Sequence, residues 1–555
     1  MTLVNDVRKL DCGDVEDSKE TLAIYSHDAS IFQVTPEVVV FPRDAADIRR
    51  LVAYAAAHKS TNITARAAGT CMSGGAIGQS IVMDSTRHMN QIVDLERLPA
   101  QAGDESIAGQ DGYAVVQPGM YYRDFERATL ARDLQYPVYP ASRDLCAIGG
   151  IVSNNAGGEK SLTYGQTIDF VRSVRTVLSD GNEYELGPLS KSQLDAKMAQ
   201  SDFEGALYRQ LYGLVELNYD AIKTARPKVS KNSAGYQLWH VWDRTTFNAA
   251  KLICGAQGTL GIITQATLGL VKPKLHKSML VMFLDDFDKI ATVVNTVLTY
   301  KPESLESFDD KTLWFTLRFL PDFVRILGAS NIISLGVKFL PEAWMVLRGG
   351  MPKLIVIAEF TGDDEADVKE RAAQALTAIR AQNIKARLTK SEEESHKYWA
   401  IRRSSFNVLR SHTKGKRTTP FIDDFIIPPK DMPTFLPELY DILRPYKLTL
   451  TVAGHVGDGN FHIIPLMDLK DERTRAIIPE LSKKVYDLVL QYGGSITAEH
   501  NDGLIRGPYL KQMYGEKVYE LFRSVKHIFD PDNIFNPGKK IDVDWNWALA
   551  HLRKD

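Results

Sequence analysis

RAAGTCMSGG, residues 66–75, is the first of three glycine-rich stretches in the first half of this 555-residue chain. The others are AIGGIVSNNAGG, residues 147–158, and GAQGTLGIIT, residues 255–264. Glycine lets backbone N–H groups approach an anion closely, and several such groups can cradle a diphosphate. One such loop is an ordinary turn; three at these separations point to a nucleotide held by several loops at once. The common single-loop patterns are missing. The nearest approach to G-x-G-x-x-G is GDGNFH from Gly457, which ends in histidine, and GGEKS from Gly157 carries Glu159 where a Walker loop needs glycine. A Rossmann or P-loop assignment would be forced.

Around these loops the texture is mixed. Pro42 and Asp44 open a helix with Asp44 as N-cap and Asp47 in its first turn, and Ile48, Leu51, Val52 and Ala55 follow at helical spacing. The strand NITAR, residues 62–66, then enters the first loop. Residues 113–178 read as short strands alternating with loops rich in Gly, Pro and Asn. Residues 252–271 are uncharged but hold four glycines, and read as turns and strand rather than a lipid-facing helix. From about Leu280, strands such as SMLVMFL and LIVIAEF alternate with helical stretches such as residues 367–381. The pattern predicts an α+β chain with a boundary near Lys272: a first domain over 1–272, a second over 273–520 and a closing segment over 521–555.

Composition excludes several classes. Lys and Arg number 67 against 69 acids, a net charge of −2, which argues against a nucleic-acid binder. The four cysteines lie far apart with no C-x-x-C pair, so the chain alone ligates neither an iron–sulfur cluster nor a cysteine-rich zinc site. The N-terminal residues are charged at Asp6, Arg8 and Lys9 and lack an apolar run, so a cytoplasmic protein is expected. Residues 311–354 interleave Trp314, Phe315, Phe319, Phe323, Phe339 and Trp344 with Arg318, Arg325, Lys338 and Arg348. That mixture suits an amphipathic element resting on the inner face of a membrane, a cap over an active site or an oligomer contact.

A second constellation lies further along. LTLTVAGHVGDGNFHIIPLM, residues 448–467, reads as two strands joined by a Gly-Asp-Gly-Asn turn, so that a hairpin would set His455 and His462 side by side. GGSITAEHNDG, residues 493–503, places Glu499 and His500 together at a strand end. A lone strand histidine is usually a hydrogen-bonded core residue. Two imidazoles and a carboxylate, however, make a three-ligand metal site with open positions.

The three loops resemble the FAD domain of the vanillyl-alcohol-oxidase and p-cresol-methylhydroxylase superfamily, in its FAD-linked dehydrogenase branch. The resemblance runs over roughly residues 38–541 and implies a two-subdomain FAD-binding domain followed by an α+β substrate domain with an antiparallel sheet. It implies that Arg66, Ala68, Gly69, Thr70, Cys71, Ser73, Gly74 and Gly75 bind the diphosphate, and that Ile148, Gly149, Asn155 and Gly157 line the isoalloxazine and ribityl chain. Gly258, Thr259, Gly261 and Ile262 would add further FAD contacts. The ending IFDPDNIFNPGKKI, residues 528–541, resembles the family's closing motif, in which an asparagine, here Asn536, returns to the flavin. Members with covalent FAD often use a histidine in or near the first loop; none lies there, so non-covalent FAD is expected.

The H-x-G-D-G-N-x-H and A-E-H motifs resemble the metal-dependent D-2-hydroxyacid dehydrogenases of the D-lactate, D-2-hydroxyglutarate and glycolate types. By that resemblance His455, His462 and Glu499 ligate a divalent metal (zinc first, manganese or iron as alternatives) and His500 is the catalytic base. Arg402, in WAIRRSS, matches the arginine that holds the substrate carboxylate, with Arg403 beside it. Three positions depart from the hydroxyglutarate pattern. Ile422 stands where those enzymes carry lysine and Ile464 where they carry asparagine, and E-H-G becomes Glu499-His500-Asn501 followed by Asp502 and Arg506. These departures favour a short or apolar side chain, as in D-lactate. Electrons would pass to a quinone, a cytochrome or another flavoprotein; an oxygen-reducing flavin oxidase and a flavin-free metallohydrolase are the rival readings.

Overall fold

The computed structural model describes residues 2–98, 109–310, 312, 350–412 and 415–554. The helix Ala45–Ala57 is capped as its sequence predicts: the Asp47 N–H donates to the Asp44 carboxylate at 3.0 Å, and Ile48, Leu51, Val52 and Ala55 are buried. It packs on a small sheet in which Val38–Phe41 and Ile63–Arg66 flank Ile81–Asp84 in parallel, with Asp14–Glu16 antiparallel at the outer edge. The first glycine stretch leaves the end of Ile63–Arg66.

A second sheet, wholly antiparallel, orders the strands Ile92–Arg97, Gly112–Val116, Ile262–Leu270, Val171–Val177 and Glu183–Leu186. Its central strand begins inside the third glycine stretch, which fixes that loop at the sheet's end. The strand-and-loop reading of residues 113–178 is corrected here. Tyr122–Leu130, Ile148–Asn154, Ser161–Tyr164 and Thr167–Phe170 are helical. Two of these are only 4 residues long, too short for a helical period to register in sequence. Ile148–Asn154 contains two glycines of the second stretch, Gly149 and Gly150, whose low helix propensity is overridden by close packing: a Cβ on Gly149 would lie 2.7 Å from the Pro118 ring.

The second sheet's central strand ends at Leu270 and a third sheet opens at His276. Its antiparallel order is Lys385–Leu388, His276–Leu284, Leu354–Gly362, Ser304–Asp309, Thr449–His455, Asn460–Met467 and Arg417–Thr418, and Phe425–Ile426 also pairs with Asn460–Met467. The helices Ile290–Leu298 and Glu365–Ala381 pack against each other, the latter also on the sheet. After the helix Leu510–Phe529 the chain returns to the first sheet: Phe535 bridges Ile63, and the Asn536 N–H donates to the Ile63 carbonyl at 2.9 Å. The expected α+β class therefore holds. Residues 313–349, most of the aromatic and basic stretch, lie outside the described residues. Among the described residues no helix is long and apolar enough to cross a membrane.

Candidate active site

The three glycine stretches converge. Together they wall a cleft lined by Arg66, Ala68, Gly69, Thr70, Cys71, Gly75, Gly149, Gly258, Gly261 and Ile262, all expected there, and by Gly150, Ser153, Asn154 and Gln257, which were not. Gly69 has φ +67°, and a Cβ there would meet the Arg66 guanidinium at 2.3 Å, so this turn requires glycine. The cleft's chemistry, backbone amides between small side chains, fits a diphosphate-bearing dinucleotide.

Seven expected cofactor residues are absent from this lining: Ser73, Gly74, Ile148, Asn155, Gly157, Thr259 and Asn536. Gly157 lines a second cavity, and several of the others hold the loops. Asn155, in the left-handed conformation at φ 50°, accepts from the Ile168 N–H and donates to the Asn232 carbonyl; its neighbour Asn154 faces the cleft. Asn536 donates at 2.8 Å to the carbonyls of both Gly75 and Gln257, clamping the first loop to the third. Gln257 completes the junction: its amide donates to Ser73 Oγ at 2.9 Å and to Asn154 Oδ1 at 3.3 Å, and accepts from the Gly503 N–H. A glutamine inside a glycine run carries no signal in a single sequence. Cys71 is buried against Ser73, and burial with the nearby Asp28 pushes its thiol up. All four cysteines are buried and free.

A larger cavity adjoins the cleft, sharing Arg66, Gly69, Thr70, Gly150 and Asn154 with it. On the far wall stand His455, His462, Glu499 and His500. Hairpin geometry puts the first two there. Ala453 pairs with His462 and His455 with Asn460, so Thr451, Ala453, His455, His462 and Ile464 fall on one face of the pleat, and all five line the cavity. The two rings are diagonal neighbours, their centroids 5.2 Å apart. The turn sits one residue earlier than expected, with Asn460 already in the strand. Glu499 and His500 are not at a strand end. Ser495 makes a single bridge to Ile426, and the irregular chain beyond is fixed by Asp424, whose carboxylate accepts from the N–H of Glu499 and His500 at 3.0 and 2.7 Å and from Thr497 Oγ1.

Each of these histidines commits one ring nitrogen to a carboxylate. His455 Nδ1 lies 2.6 Å from Glu306 Oε1, while His462 Nδ1 and His500 Nδ1 lie 3.0 and 2.7 Å from the two oxygens of Asp423. The Nε2 atoms are thereby directed at Glu499 Oε1, at 3.0, 3.6 and 4.0 Å for His455, His462 and His500. Three imidazole nitrogens around a buried carboxylate oxygen, each braced by an outer carboxylate, form a donor set that fits a divalent metal. Atoms of Asp424, His462, Glu499 and His500 also lie within 4.8 Å of one another. Asp424 is the poorer ligand of these, because its oxygens already take backbone N–H groups, and His455 is the better one.

The electrostatics follow from the same contacts. Burial opposes charge on His455, but Glu306 and Glu499 hold it up at about 9; burial likewise opposes charge on His500, and Asp424 and Asp423 raise it to about 9. Burial keeps His462 below its ordinary value. Against burial, Lys231 and His455 hold Glu499 well below the carboxylate range. Lys231, fully buried, was not singled out from sequence; its Nζ donates to Glu499 Oε2 at 2.9 Å and to Asn460 Oδ1 at 3.1 Å. Gly157 also makes room for this pair: a Cβ there would lie 3.0 Å from Glu499 Oε2 and 2.8 Å from Ser161 Oγ.

Arg402 and Arg403 both line the cavity from the helix Glu392–His412. Arg402 Nε donates at 3.2 Å to Glu306, the carboxylate that also holds His455; Arg403 is paired with Glu159. Ile464 is on the cavity wall, but Ile422 is not: it is fully buried in the core. Asn501 takes φ 65°, where a glycine would be at ease, and its amide donates to the carbonyls of Asn154 and Gly255, tying the second loop to the third.

Two family descriptions match the chain, one for each half: "FAD binding domain" over residues 36–187 and "FAD linked oxidases, C-terminal domain" over residues 273–540. The chain thus combines an FAD binding domain with an FAD-linked oxidase C-terminal domain. The chain is 27% identical over 537 residues to D-2-hydroxyglutarate dehydrogenase of Pseudomonas putida, covering 95% of this chain and 50% of that protein. It thus spans about half the length of the first curated relatives it matches. It is 27% identical over 541 residues to the glycolate oxidase subunit GlcD of Bacillus subtilis, covering 95% and 94%, and 25% identical over 507 residues to D-lactate dehydrogenase of Archaeoglobus fulgidus, covering 91% of each. Among solved structures it resembles substrate-bound p-cresol methylhydroxylase, with TM-score 0.66 at 15% identity over 98% of this chain and 97% of that one. The fold is therefore of the p-cresol-methylhydroxylase type, as the three loops implied.

Proposed function

We propose that this chain is a metal-assisted dehydrogenase of D-2-hydroxy acids with a short or apolar side chain, D-lactate foremost. The carrying observation is that the three-loop cleft and the cavity walled by the histidine–glutamate centre share Arg66, Gly69, Thr70, Gly150 and Asn154 in their linings. On this reading residues 1–272 hold FAD non-covalently, 273–520 hold metal and substrate, and 521–555 close the flavin site. His455, His462 and Glu499 are the metal ligands. When bound, FAD accepts the hydride from the substrate Cα and the divalent cation acts as a Lewis acid on the hydroxyl.

The chain's own residues do the rest. Arg402, with Arg403 beside it, fixes the substrate carboxylate through a planar fork of donors. In its neutral form His500 takes the hydroxyl proton at Nε2, its Nδ1 being engaged by Asp423. The product is the 2-oxo acid. Electrons then leave to a separate acceptor of the quinone, cytochrome or flavoprotein kind, since four isolated buried cysteines assemble no cluster. Ile464 on the wall supports the short or apolar side chain, whereas the D-2-hydroxyglutarate relative favours a dicarboxylate.

A dye-reduction screen over D- and L-2-hydroxy acids tests the reading. D-lactate is expected to be oxidised faster than D-2-hydroxyglutarate, and the L-isomers not at all. The reverse order overturns the side-chain assignment. A protein that carries no flavin, or releases none on acid precipitation, overturns non-covalent FAD.

A further inference from the structure

Asp423 contacts two functional histidines at once. Its Oδ1 lies 3.0 Å from His462 Nδ1 and its Oδ2 2.7 Å from His500 Nδ1, and the residue is fully buried. The two rings are stacked, centroids 5.0 Å apart and planes 23° from parallel, as a single carboxylate with parallel bonds to both requires. Asp423 is itself anchored from behind: Arg506, also fully buried, donates to its main-chain carbonyl at 2.7 Å and stands 3.9 Å from its carboxylate. Its neighbour Asp424 has a different task, holding the backbone of residues 497–500.

We propose that Asp423 is a shared positioning residue that fixes, in one stroke, the ring orientation and tautomer of a metal ligand, His462, and of the base, His500. The inference rests on the metal-and-base reading above. Both Asp423 oxygens accept, so both Nδ1 atoms donate, and in each neutral ring Nε2 is the nitrogen left toward Glu499 with a free electron pair. Metal binding and proton abstraction are then coupled through one side chain, so a single change weakens both.

Asp423→Asn tests this, because the amide offers one acceptor oxygen and turns an NH2 toward the second imidazole. That ring must rotate or move its proton onto Nε2, the atom it needs. Zinc affinity of the flavin-loaded, substrate-free protein, measured against a chromophoric chelator, is expected to fall about 10–100-fold, the usual cost of losing an outer partner of a metal ligand. Flavin reduction in a single turnover is expected to slow as well, with kcat falling more than KM rises. Asp423→Glu, which keeps two acceptor oxygens, is expected to recover part of both. Wild-type zinc affinity in Asp423→Asn overturns the proposal, as does a Glu variant no better than the Asn variant while both keep FAD. A wild-type chain that binds zinc but oxidises no 2-hydroxy acid would sink the substrate reading and leave the zinc titration decisive here.

Discussion

His462 and His500 sit a ring's width apart and differ in what they are asked to do. His462 Nε2 is 3.6 Å from Glu499 Oε1 and is proposed as a metal ligand; His500 Nε2, at 4.0 Å, is farther and faces the cavity with it. The roles separate by mutation. His462→Ala is expected to lose metal and turnover together. His500→Ala is expected to keep metal and FAD while flavin reduction slows by roughly 10²–10⁴. Metal analysis beside single-turnover bleaching of the flavin checks both, and normal flavin reduction in His500→Ala would remove the base assignment. Specificity is also decided at single residues. Ile464 presents an apolar side chain to the cavity at the position where hydroxyglutarate-type relatives are expected to carry asparagine. Ile464→Asn should move the ratio of kcat/KM from D-lactate toward D-2-hydroxyglutarate; an unchanged ratio would show that the wall at Ile464 does not meet the substrate side chain. Ile422, buried in the core, should not behave this way.

At the scale of elements, the hairpin Thr449–His455 and Asn460–Met467 converts a sequence spacing into a ligand geometry. A register slip by one residue would turn His455 and His462 out of the cavity, because successive strand side chains alternate faces. The second glycine stretch has two jobs within a few residues. Gly149, Gly150 and Asn154 face the dinucleotide cleft, while Gly157 makes room for Glu499 and Lys231. Gly157→Ala is therefore expected to lower metal affinity and activity with FAD content near wild type, since a Cβ would crowd the Glu499 carboxylate at 3.0 Å. Loss of FAD with retained metal, read by absorbance and metal analysis on the same sample, would return Gly157 to the flavin.

The whole molecule is closed by residues that come last in the chain. Asn536 joins the first and third glycine loops, and Lys540 pairs with Asp502 at 2.6 Å, both fully buried. Burial pulls Lys540 below its ordinary value and pushes Asp502 above its own, so each depends on the other to stay charged. Removing one partner strands the other: Lys540→Met is expected to destabilise the fold by about 3–5 kcal/mol. A double variant, Lys540→Met with Asp502→Leu, should lose less. Urea unfolding followed by flavin and tryptophan fluorescence compares them, and equal losses in the two variants would show that the charge pairing is not what matters. Asn536→Ala should weaken FAD retention without touching metal affinity, because Asn536 braces loops that lie on the flavin side of the cavity.

The sequence by itself determined the features that repeat a local rule. Asp44 and its apolar spacing set the helix Ala45–Ala57, the glycine stretches announced a multi-loop nucleotide cleft, and the H-x-G-D-G-N-x-H spacing set two histidines on one face of a hairpin. These are read from neighbours in the chain, where the backbone period does the work. Tertiary structure alone decided which residues brace those features. Gln257, Lys231, Glu306 and Asp423 reach partners far away in sequence (Asn154, Glu499, His455 and His462 with His500) and no local pattern marks such a residue. The same reason gives Asn155 and Asn536, both expected at the flavin, hydrogen bonds that hold its loops. A polar side chain beside a glycine run can face the ligand or the loop's own orphaned backbone groups, and only the packing of the other loops against it selects which.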